Sequence, residues 1–126
     1  MAQDIVSDAL NMIKNASRAK KEIVMIERIS NLLIEVLKIM KQEGVIKKYK
    51  IDAKDKKVEI TLDKIYECKA IKPRFSVNKY EIEKYKRRYL PARNIGTIII
   101  STNKGLLTHK EAEKEGAGGS LIAYFY

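Results

Sequence analysis

Two stretches decide the fold class: Ser30-Asn31-Leu32-Leu33-Ile34-Glu35-Val36-Leu37-Lys38-Ile39-Met40, closed by Gly44, and Val58-Glu59-Ile60-Thr61-Leu62. In the first, Leu32, Leu33, Val36, Leu37 and Met40 recur at the spacing of one helical face, behind Ser30 as a good N-cap. Gly44 ends the helix because glycine reaches left-handed backbone at little cost. In the second, Val58, Ile60 and Leu62 alternate with Glu59 and Thr61, the two-residue period of a strand. A partner strand is expected at about 45–52, with Ala53-Lys54-Asp55-Lys56 as a polar hairpin loop. A helix feeding a hairpin is an α+β arrangement.

Working outward, residues 4–16 carry Ile5, Ala9, Leu10, Ile13 and Ala16 at helical spacing, with Asp4 as a candidate cap. Residues 22–27 read as a short strand. The first 63 residues thus form an α-β-α-β-β lobe. From Lys64 onward charge, turns and aromatics increase. Residues 71–77 read as extended, because Pro73 keeps Lys72 out of the helical region. Residues 97–100 read as a strand buried on both faces. Thr108 and Glu111 have the spacing of a capping box for a short helix running to Glu115. Gly116, Gly118 and Gly119 turn the chain into a final strand at 121–126. The expectation is two small lobes, 1–63 and 64–126. The second is mostly β with one short helix, and its strongly charged segment 78–89 is able to form another.

The 126 residues include 26 Lys and Arg against 16 Asp and Glu, a net charge of +10. Such an excess points to a polyanionic partner whose counterions are released on binding. Its distribution is uneven: residues 1–63 hold 13 basic and 10 acidic side chains, and residues 64–126 hold 13 and 6. Within the second half, residues 64–104 hold 11 and 3, so the charge is clustered rather than spread as a solubilising coat. There Tyr80, Tyr85 and Tyr89 interleave with Lys84, Lys86, Arg87 and Arg88, a pattern that suits bases and phosphates together. No apolar run approaches the ~18 residues of a membrane span. No helix opposes a basic face to a broad aromatic one, so a membrane partner is not expected. A single cysteine and no secretion signal point to a cytosolic, reduced protein.

Catalytic chemistry finds little footing. His109 is the only histidine, which rules out a multi-histidine metal site, and Cys68 with His109 is the only nucleophilic pair of its type. An RNA-processing enzyme built on that pair is the rival reading, beside a general basic RNA-binding module. Both residues have ordinary explanations: Cys68 as a small buried side chain, His109 as the first residue of a capped helix. The segment 116–119 lacks the Lys-Ser/Thr of a phosphate-binding loop. No cofactor or metal is implied.

The segment Ser101-Thr102-Asn103-Lys104-Gly105-Leu106-Leu107-Thr108-His109-Lys110-Glu111-Ala112, followed by Gly118-Gly119 and Leu121-Ile122-Ala123-Tyr124, resembles the universal small-subunit ribosomal protein number eight. Ala70-Ile71-Lys72-Pro73-Arg74-Phe75 and Arg88-Tyr89-Leu90-Pro91-Ala92-Arg93 look like its archaeal and eukaryotic branch. The resemblance implies a two-lobed α+β protein that binds a helix of the rRNA central domain and acts early in subunit assembly. Implied partners are small-subunit rRNA and neighbouring small-subunit ribosomal proteins, with its own message as a further candidate, and no homo-oligomer.

By the same resemblance, a loop Ser101-Thr102-Asn103 reaches an irregular internal loop of the RNA from the minor-groove side, with Lys104 on a phosphate. Gly118 and Gly119 let the next strand approach the same surface. A-form RNA has a deep, narrow major groove, so small polar groups working from the shallow side make physical sense. Further RNA contacts are expected from Arg74, Tyr85, Arg87 and Arg88, and from Lys14 and Arg18 in the first helix. The chain departs from the family pattern at Ile5, where Pro is usual, at Asn31, where Lys is common, and at Ser120, where bacterial members have Glu.

Overall fold

A computed structural model describes residues 5–52, 54–72, 74–92 and 95–126. Asp4, Ala53, Pro73 and Arg93, each given a part above, lie outside the described residues. The chain divides into two compact units, with the boundary after Cys68.

The first unit runs α1(Ile5–Arg18), β1(Ile23–Ile26), α2(Asn31–Gln42), β2(Ile46–Asp52), β3(Lys57–Leu62). Ser30 caps α2 as expected, its hydroxyl accepting the Leu33 N–H at 3.1 Å. Gly44 follows in the left-handed region at φ +83°. The strands form an antiparallel sheet in the order β1-β3-β2. Register runs from Ile23↔Thr61 to Ile26↔Val58 on one side of β3 and from Ile46↔Leu62 to Asp52↔Lys57 on the other. Val58, Ile60 and Leu62 are buried while Glu59 and Thr61 between them are not. Both helices bury one face: Val6, Ala9, Leu10, Ile13 and Ala16 from α1, and Leu33, Val36, Leu37, Ile39 and Met40 from α2. Val6 and Ile39 are buried although the sequence reading left them out, because a core-facing helix buries a stripe wider than one row.

The second unit contains a sheet in the order β4-β8-β6-β7, with β5 also pairing to β8. Here β4 is Cys68–Ala70, β5 Ser76–Val77, β6 Thr97–Thr102, β7 Gly105–Thr108 and β8 Gly119–Phe125. Two helices accompany it, α3(Ile82–Tyr89) and α4(His109–Glu115). Central strand β6 has Ile98, Ile99 and Ile100 fully buried. Ile82 and Tyr85 of α3 join Ile98, Ile100 and Leu121 in the core on one face of this sheet. The α4 capping box forms as expected: the Thr108 hydroxyl accepts the Glu111 N–H at 3.2 Å, and Glu111 accepts the Thr108 N–H at 3.4 Å.

In the second unit three boundaries are shifted by two residues or more from the sequence reading. Helix α3 starts only at Ile82, because the Asn78 side chain accepts the N–H groups of Tyr80 and Glu81 and holds 78–81 as a turn. Strand β8 begins at Gly119, two residues early, because Ser120 pairs with both Ser76 and Ser101. Strand β6 continues through Thr102 and is answered by β7, so Ser101 and Thr102 end a hairpin strand instead of lying in a loop. The strand β4 is three residues long, too short to show a period.

Candidate nucleic-acid interface

The β6–β7 hairpin turns on two exposed residues, Asn103 and Lys104. Thr102 builds that turn: its hydroxyl donates to the Gly105 carbonyl at 2.9 Å and accepts the Lys104 N–H at 3.1 Å. Gly105 then starts β7 at φ +104°, a conformation strained for any other residue. Ser101, one residue earlier, faces the other side of the strand. Its hydroxyl has no hydrogen-bond partner among the described residues.

Strand β8 closes against this hairpin through glycine. A Cβ on Gly119 would collide with the Ser101 carbonyl oxygen, and one on Gly118 would stand 2.9 Å from the Asn78 Cα. Both obstacles are backbone, which cannot swing aside. The close approach creates an open groove of about 520 Å³ that brings together Ser101, Thr102, Asn103, Lys104, Gly118 and Gly119. Lys104 is tied across it to Glu115 at 3.7 Å, both side chains largely exposed. Such a pair contributes at most ~1 kcal/mol, so Glu115 holds the Lys104 ammonium only weakly.

Sequence reasoning missed Ser76 in this groove and treated Ser120 only as a departure from a family pattern. Cross-strand pairing, Ser76↔Ser120 and Ser120↔Ser101, sets all three serines on one face of the sheet. Nothing local signals a pairing across 44 and 19 residues of chain.

The remaining expected contacts lie outside the groove. Arg74 is exposed. On α3, Arg87 is exposed and 3.7 Å from Glu83, while the Arg88 guanidinium sits 5.7 Å from the Phe75 ring centroid and 5.5 Å from that of Tyr89. Tyr85, expected among the RNA contacts, offers little open ring. It is 9 % exposed, between the rings of Phe75 and Tyr89, because it shares the core-facing side of α3 with Ile82. Tyr80, 80 % exposed beneath the Lys79 ammonium, is the open ring of that segment. In the first unit, Lys14 and Arg18 converge on Glu67 at 3.3 and 3.7 Å. The Lys14 side chain is largely covered and its ammonium is engaged by Glu67. Arg18 keeps most of its surface open.

Cys68 and His109 have structural work. The Cys68 thiol donates to the Leu10 carbonyl at 3.1 Å, and burial, helped by Glu67, pushes its pKa up to about 12. A thiol in that state is a poor nucleophile. His109 Nδ1 accepts the Ile98 N–H at 3.1 Å, and burial, together with Lys86, lowers its pKa to about 4. Lys86 bridges the two helices, 3.0 Å from Glu83 and 3.3 Å from Glu113. Burial works to lower its pKa, but the two carboxylates together raise it. Among the described residues no group of His, Cys, Asp and Glu is arranged to hold a metal, and no helix is long and apolar enough to cross a membrane.

Fold and groove together define a basic, two-unit α+β protein with a small-residue polar groove and no assembled catalytic group among the described residues. Residues 4–126 match the family described as Ribosomal protein S8. Similar proteins include the small ribosomal subunit protein uS8 of Nanoarchaeum equitans, 46 % identical over the full length of both chains. Those of Picrophilus torridus and Thermoplasma acidophilum are 42 % and 41 % identical, again over the full length of both. The chain belongs to the ribosomal protein S8 family.

Proposed function

We propose that the protein is a structural constituent of the small ribosomal subunit that binds small-subunit rRNA, at a helix with an irregular internal loop, and supports early subunit assembly. The observation that carries this reading is the groove where Ser101, Asn103 and Lys104 meet Gly118 and Gly119. Small hydroxyl and amide groups on a surface kept low by two glycines approach sugar and base edges closely, which bulky side chains prevent. Lys104, Arg87 and Arg88 supply phosphate contacts that position the protein, and the groove supplies the choice of RNA shape. The mechanism is placement, without catalysis. Neighbouring small-subunit proteins are the accompanying partners, and the same groove would bind a similar RNA shape in the protein's own message.

The test is filter binding of Ser101→Ala/Asn103→Ala to an rRNA central-domain fragment and to a plain duplex of equal length. Neutral hydrogen bonds contribute ~0.5–1.5 kcal/mol each, so the fragment should bind roughly tenfold more weakly while the duplex is unaffected. Unchanged discrimination between the two RNAs would remove the groove from the recognition surface.

A further inference from the structure

The first unit carries a charged surface that none of the contacts above uses, the hairpin of β2 and β3. Between Lys47 and Lys57 stand six lysines and two aspartates. Lys47, Lys48, Lys50, Lys54 and Lys56 are exposed, and none of the six lysines forms an ion pair among the described residues. Asp52 is committed to the turn, its Oδ1 accepting the N–H groups of Lys54 at 3.1 Å and Asp55 at 3.3 Å. Lys56 completes the reversal in the left-handed region at φ +52°. The turn carries Lys54 and Lys56 past the end of β2, on which Lys48 and Lys50 share one face at a two-residue spacing.

Mutual repulsion of these ammonium groups opposes folding, and among the described residues no carboxylate stands within ion-pair distance of them. A polyanion offsets that repulsion by taking them as counterions. The residue types narrow its class. Lysine is a flexible point charge that binds phosphate without reading bases. The only ring on the hairpin, Tyr49, lies under the Lys41 ammonium at 5.9 Å, so no stacking platform for unpaired bases is offered. Protein–protein interfaces are depleted in lysine, which disfavours an acidic protein here.

We propose that the β2–β3 hairpin is a second RNA contact, which holds the phosphate backbone of an RNA helix through Lys48, Lys50, Lys54 and Lys56. The proposal rests on the reading of this chain as an rRNA-binding protein, but its recognition chemistry is independent of the groove.

The experiment uses the full chain with Lys48→Gln, Lys50→Gln, Lys54→Gln and Lys56→Gln combined, and a control with the same four positions changed to Arg. Small-subunit rRNA is footprinted with hydroxyl radicals, and affinity is followed against salt. The glutamine variant should lose protection of one helical tract while keeping the tract that depends on Ser101 and Asn103. Its log-affinity against log-salt slope should flatten by roughly 2.8–3.6, at ~0.7–0.9 for each of the four lysines lost from a phosphate. The arginine variant should keep both tracts. All protections retained with an unchanged slope would overturn the proposal and leave the hairpin to an acidic protein partner. Loss of rRNA preference in the wild-type protein would instead sink the groove reading, and the slope would still report on the hairpin.

Discussion

Ser101 and Thr102 stand side by side in a strand and do different work. The Thr102 hydroxyl closes the turn onto Gly105 and Lys104, whereas that of Ser101 has no partner among the described residues. In sequence the two are interchangeable small polar residues, since neither turn geometry nor strand face shows in a residue type. His109 is a second case. Its place at the start of a capped helix is legible from Thr108 and Glu111, but its bond to the Ile98 N–H is not, because β6 lies 11 residues away. That bond has a pH signature. The folded-state pKa, about 4, lies below the ordinary value of 6.5, so between these values the unfolded chain binds more protons. Stability should therefore fall as pH drops from about 6.5 to 4, by up to roughly 3 kcal/mol from this residue. Urea unfolding at pH 7 and pH 4.5 should show the loss in the wild-type protein. His109→Asn keeps an acceptor and does not titrate, so its loss should be visibly smaller; an equal loss would assign the pH dependence elsewhere.

Among the elements, α2 and β3 were legible because each buries one periodic face, and period is a property of the residues alone. The segment 78–89 was legible as a helix only in part, since its first four residues are held by the Asn78 side chain. The seat of β8 showed in no local pattern, only in the family resemblance at Gly118 and Gly119. It depends on Gly119 lying against the Ser101 carbonyl, a contact between elements that sequence order separates. Gly119→Ala should push β8 away from β6 and cost about 1–3 kcal/mol, the range for overpacking a site that cannot relax. Urea titration measures the cost, and rRNA-fragment affinity should fall with it as the groove distorts. Wild-type stability in this variant would mean that the strand shifts freely and that the glycine is not required for packing.

For the whole molecule, net charge of +10 supplies attraction to RNA of any sequence, and the clustering of that charge in residues 64–104 was readable by counting. Counting did not separate exposed charges from covered ones: Lys86 is bound between Glu83 and Glu113, Lys14 lies against Glu67, and Arg87 stays exposed although it is 3.7 Å from Glu83. Arg87→Gln with Arg88→Gln should weaken binding to specific and non-specific RNA alike, flattening the salt slope by ~0.7–0.9 for each phosphate contact removed. Affinity measured from low to high salt with both RNAs checks this. An altered ratio between the two RNAs, at unchanged slope, would make these arginines readers of sequence instead of anchors.

The sequence by itself determined the α+β class, the Ser30 and Thr108 helix caps, the basic character and the family likeness, because period, capping and charge are local or additive properties. Tertiary structure alone decided that Tyr85 turns inward, that Thr102 serves its own turn, and that Ser76 and Ser120 join Ser101 in the groove. It also separated the free lysines of the β2–β3 hairpin from the engaged ones of the helices. Each of these depends on which strands lie side by side and which residues then face each other, and such pairing couples positions too far apart for any local pattern to record.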